Sequence, residues 1–116
     1  MTPVQECITV AQKFGDLIAR EDYQAAHALL TAEAQTDYSA ESFRKAVVRM
    51  TSYAPGPIQE VTVTDEILED WPAKQASDVA SIYVALTGDG FNEAAYLTLA
   101  QEGAGYRIRE IVWGRP

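Results

Sequence analysis

The sequence predicts an α+β fold in which N-terminal helices pack on a curved, mostly antiparallel sheet. Three observations carry this expectation. Apolar residues recur at three- and four-residue steps as far as Met50, Pro55-Gly56-Pro57 then interrupts the chain, and beyond it the apolar period changes to two.

The first helix is expected over Pro3 to Arg20. Cys7, Val10, Ala11, Phe14, Leu17 and Ile18 form one stripe, and Thr2 before Pro3 is a cap followed by a first-turn proline. Gly15 weakens that helix by about 1 kcal/mol relative to alanine and suggests close packing against another element. A second helix begins after Asp22, which can cap it. Tyr23, Ala26, His27 and Leu30 share its face, and it fades near Thr31. Residues 32 to 38 read equally as a helical extension, a loop or a short strand. Ser39 caps a third helix, Glu41 favours its positive end, and Phe43, Ala46, Val47 and Met50 point one way.

Four strands follow: Ile58 to Leu68, Ala76 to Thr87, Phe91 to Ala100 and Tyr106 to Trp113. Gly88-Asp89-Gly90 and Glu102-Gly103-Ala104-Gly105 reverse the chain, and a longer loop holds Trp71-Pro72. A two-residue type I′ turn at Asp89-Gly90 sets Gly88 opposite Phe91, Ile82 opposite Leu97 and Tyr83 opposite Tyr96. The next reversal, Glu102 to Gly105, sets Gln101 against Tyr106, Leu99 against Ile108 and Tyr96 against Ile111. The inner face then carries Ala80, Ile82, Val84, Leu86, Ala95, Leu97, Leu99, Ile108 and Val112. Ser81, Tyr83, Tyr96, Thr98, Arg109, Ile111 and Trp113 fall on the outer face, which is either a subunit interface or a solvated surface steadied by its tyrosine pair.

The 116 residues suit one domain, with 47% hydrophobic and 22% charged residues. Nine basic residues against seventeen acidic ones leave a formal charge of −8, which argues against nucleic acid and anionic membrane as partners. No apolar run approaches the roughly 20 residues of a membrane span. The N-terminal stretch does not read as a secretory signal, and Cys7 is the sole cysteine, so a cytoplasmic location is expected. One cysteine and one histidine leave no basis for a zinc site, and no cofactor is expected.

Three residues invite chemistry. In the regular register Glu110 sits opposite Leu97 on the inner face, where desolvation would raise its pKa and fit it for general-base work; alternatively the strand bends and Glu110 reaches water or pairs with Lys45 or Arg49. His27 is an acid–base candidate or a hydrogen-bonded helix residue, and Tyr38 could assist as a phenol. Asp65, Glu66, Glu69 and Asp70 form an acidic run that is either solvated or complementary to a basic partner. Trp71 is a lid on the core or an exposed anchor.

Helices first, a Pro/Gly break and long strands closing in Ile111-Val112-Trp113 resemble the nuclear transport factor 2-like superfamily, which includes ketosteroid isomerases and scytalone dehydratase. Asp22-Tyr23-Gln24-Ala25-Ala26 and Tyr106-Arg107-Ile108-Arg109-Glu110-Ile111 are phrases of that kind. The resemblance implies a cone whose opening can hold a ligand, with Phe14, Ile18, Met50, Leu97 and Glu110 as lining candidates, and dimers made through the sheet. No catalytic set of the enzymatic members maps onto this chain. The leading expectation is a non-enzymatic accessory domain, a homodimer through Tyr83, Tyr96, Thr98, Arg109, Ile111 and Trp113. The alternatives are a small isomerase or dehydratase using Glu110, and an acidic immunity-type inhibitor of a basic toxin; a small apolar ligand and a basic protein are the partners these imply.

Overall fold

The computed structural model describes residues 1–54 and 56–114. It contains four helices, α1 (Pro3–Ala19), α2 (Tyr23–His27), α3 (Ala32–Asp37) and α4 (Ala40–Met50), followed by β1 (Ile58–Leu68), β2 (Asp78–Gly88), β3 (Phe91–Glu102) and β4 (Gly105–Trp113). The strands form one curved, unclosed antiparallel sheet in the order β1-β2-β3-β4. Pro55, part of the expected helix stop, lies outside the described residues.

Side chains fix where the helices start. Thr2 and Gln5 close a capping box around Pro3, Asp22 accepts from the Ala25 N–H, and Ser39 accepts from Ser42. The ambiguous stretch after residue 31 resolves as α3, because Thr31 accepts from the Ala34 N–H and so supplies a cap of its own. Gly15 packs where expected: a methyl group there would clash with Val61 Cγ1 and come within 3.2 Å of Val84 Cγ1.

The β2–β3 hairpin has the expected register, including Gly88 opposite Phe91 and Tyr83 opposite Tyr96. Its turn differs from the expected type I′: Gly90 has φ +85° but Asp89 does not enter positive φ, so only the second turn position is left-handed. Pairing parity survives because the loop is still two residues long. Ala80, Ile82, Val84, Leu86, Ala95, Leu97, Leu99 and Ile108 all face the helices, none more than 1% exposed. Phe14 and Phe43 meet edge to face over this floor with ring centroids 5.6 Å apart. Burying each such side chain contributes about 1.5–3 kcal/mol.

The last strand departs from expectation at one residue. Leu99 pairs with Ile108, but Thr98 pairs with Glu110, so Arg109 is the extra residue of a β-bulge. Every later side chain therefore changes face. Ile111, expected outward, is 5% exposed, and Val112, expected inward, is 54% exposed. Trp113, also expected outward, packs with centroids 5.9 Å from Phe43 and 6.1 Å from Phe14. Tyr96 consequently meets Val112, not Ile111. A regular strand would have buried the Glu110 carboxylate against Leu97 and turned Ile111 and Trp113 to solvent. Desolvating an unpaired charge costs several kcal/mol, so inserting Arg109 is the favourable solution.

β4 is an edge strand, and the helical layer covers its free side. The Thr31 N–H donates to the Ile108 carbonyl at 2.9 Å and the Ile108 N–H to Leu29 at 3.0 Å, a short parallel bridge. Among the described residues, no helix is long and apolar enough to cross a membrane.

Candidate functional site

The three residues reserved for chemistry are held in other roles. His27 Nε2 lies 3.1 Å from the Gln35 carbonyl and 2.8 Å from that of Tyr38. Both partners are pure acceptors, so Nε2 carries a proton and donates. The ring thereby ties α2 to the carbonyls left open at the end of α3. The Tyr38 hydroxyl accepts from the Ile111 N–H at 3.2 Å and lies 3.4 Å from the Ile111 carbonyl, to which it donates. It closes the backbone of β4 just past the bulge. Glu110 is exposed on the outer face opposite Thr98, so the premise of a desolvated base opposite Leu97 does not hold.

Of the lining candidates, Phe14, Ile18 and Leu97 are closed within the core, none above 1% exposed. Met50 is half-buried and lines a cleft of about 290 Å³ with Ala46, Arg49, Glu93, Trp113 and Gly114. Glu93 is 8% exposed there, and the Tyr53 hydroxyl donates to its Oε2 at 2.7 Å. Sequence reasoning passed over Glu93 although the signal was available: the Gly88–Phe91 register sets it opposite Leu86 on the inner face.

On the outer face, Arg109 reaches back across β3 to Asp78 on β2. Its Nε donates to Oδ1 at 2.6 Å and its Nη2 to Oδ2 at 2.8 Å. The Asp78 side chain is 0% exposed and that of Arg109 22%. A second bulge, at Val79, gives Asp78 this facing. Burial pushes the Asp78 carboxyl up, but hydrogen bonds from Arg109 and the Gln75 N–H outweigh it and hold it below its ordinary value. Thr98 and Ala100, on the strand beneath this span, are 8% and 2% exposed.

The rest of this face is open. Tyr83 and Tyr96 meet edge to face at 4.9 Å, and the Tyr96 hydroxyl donates to Glu66 Oε2 at 3.1 Å. Leu68, opposite Ser81, is 52% exposed, and Val112, opposite Tyr96, is 54% exposed. Leu68, Tyr83, Tyr96 and Val112 thus draw an apolar diagonal across all four strands. The acidic run is exposed at Asp65, Glu66, Glu69 and Asp70, and Trp71 beyond it is half-buried with the Lys74 ammonium 5.7 Å from its ring centre. Among the described residues, no group of three or more histidine, cysteine or acidic side chains is placed to hold a metal ion. No protein-family model, curated protein or solved structure matches the chain.

Proposed function

We propose that this chain is a non-enzymatic binding domain of the nuclear transport factor 2-like type, working through the outer face of its sheet on a protein partner. The apolar diagonal carries the reading. Aromatic and aliphatic side chains at half exposure on a rigid sheet are the composition that protein interfaces favour. The engagement of His27 and Tyr38 with backbone groups, and the exposure of Glu110, remove the grounds for a catalytic site built on them. A photo-crosslinking side chain at position 83 should give adducts that vanish with Tyr96→Arg, while the same group at Val48 on α4 gives none. Equal labelling from both positions would refute the proposal.

A second reading rests on the Glu93 cleft. A nearly buried carboxylate beside Tyr53, with Arg49 at the rim and Trp113 and Met50 as walls, is a chemically suitable setting for a small isomerase or dehydratase. Saturable quenching of Trp113 fluorescence by a cyclic enone in a Trp71→Phe background, lost on Glu93→Gln, would favour it.

A further inference from the structure

We infer that the partner of the outer face is a basic protein surface, one that presents lysine or arginine side chains around an apolar centre; this rests on the reading of that face as a docking surface. The argument is one of charge around the apolar diagonal. Strand parity and pairing place Glu60, Glu66 and Glu110 on the same side of the sheet as Tyr83 and Tyr96, all three exposed. No lysine lies in any of the four strands. The cations those strands carry among the described residues are Arg107 and Arg109, and both are engaged. Arg109 is bound to buried Asp78, while Arg107 donates to the Ala28 carbonyl at 2.7 Å and lies 3.7 Å from Glu102. Among the described residues Glu60, Glu66 and Glu110 form no ion pair, and Arg109, the strand cation whose charge reaches Glu110, is already held by Asp78.

Glu66 and Tyr96 add a local recognition element. Their hydrogen bond holds a carboxylate at the margin of a T-shaped tyrosine pair. An ammonium or guanidinium set there meets an anion and aromatic faces at once, which is the combination that favours cations over neutral donors. A second copy of the chain fits less well. A two-fold contact would set the same patch against itself, facing Glu60, Glu66 and Glu110 with like charges, while the two arginines that the strands carry among the described residues are already engaged. The formal charge of −8 steers basic partners in the same sense at long range.

The test is a titration of the isotope-labelled chain, followed by amide NMR shifts, with a short capped peptide of alternating lysine and leucine and with its glutamine-for-lysine counterpart. The lysine peptide should shift Tyr83, Tyr96 and Val112, Glu66→Gln with Glu110→Gln should weaken it about tenfold, and Tyr96→Arg should abolish it. If the glutamine peptide binds the diagonal as well, or if sedimentation shows a dimer that Tyr96→Arg dissolves, the basic partner is wrong although the docking face stands. Shifts confined to Glu69 and Asp70 would mean undirected charge attraction and would equally overturn it. If neither peptide moves the diagonal and the chain sediments as a monomer, the docking face itself falls.

Discussion

Removing the Arg109 guanidinium is the sharpest probe of how the outer face is held. The Asp78 carboxylate, with its side chain fully buried, receives two hydrogen bonds from Arg109 and one at 2.9 Å from the Gln75 N–H. Arg109→Ala would leave a buried anion with a single donor. Breaking a buried pair in this way costs about 3–5 kcal/mol. Because Arg109 is 22% exposed, water can replace part of what is lost, so about 2–3 kcal/mol is the expected penalty. Asp78→Asn should cost less, about 1–2 kcal/mol, since the remaining guanidinium can turn to solvent. Urea unfolding followed by tryptophan fluorescence at neutral pH measures both. The folded carboxyl is held below its ordinary value, so its stabilisation is complete above the unfolded pKa of about 3.9 and is lost as pH falls through the folded value. Asp78→Asn should therefore flatten this part of the acid limb. A cost for Arg109→Ala under about 0.5 kcal/mol, or an unchanged acid limb in Asp78→Asn, would refute the claim that the pair is desolvated.

Tyr38→Phe deletes the hydroxyl that serves both backbone groups of Ile111 and should lower stability by about 1–2 kcal/mol, with faster amide exchange at Ile111 as its local signature. Gly15→Ala gains about 1 kcal/mol of helix propensity but drives a methyl into Val61 Cγ1, so a net loss of about 1–2 kcal/mol is expected, relieved in the double variant with Val61→Ala; chemical denaturation of the four-member cycle decides it. Burial first, then Glu6, pushes the Cys7 thiol up to about 11, so the native protein should resist iodoacetamide near pH 8 and react fully only when unfolded, as mass spectrometry would record.

How far the sequence was legible depends on how local the deciding interaction is. The caps at Thr2, Asp22 and Ser39 and the two-residue reversal before Phe91 are settled within a few residues, and they were readable. The reversal also fixed the inner rows of β2 and β3, so the tyrosine pair fell where expected. The bulge was missed because strict alternation was carried past Ile108. A cue existed: Ile108 and Ile111 are three apart with two charged residues between them, a spacing that suits one inward row only if a residue is extra. Asp78 had no such cue, since its facing depends on a second bulge and its partner lies 31 residues away. The role of His27 was hidden because it depends on where α3 comes to rest against α2, and that of Tyr38 because its partner Ile111 lies far along the chain on β4.

The unequal treatment of the two sheet margins bears on self-assembly. Leu29–Thr31 and Tyr38 cover β4 at Ile108 and Ile111, whereas among the described residues β1 has β2 as its sole ladder neighbour and offers its Val61 carbonyl to the Gln12 side chain at 3.2 Å. Were two chains ever to join laterally through β1, each would present a closed rim on its far side. Such lateral growth would be opposed after one step by the covered β4 edge.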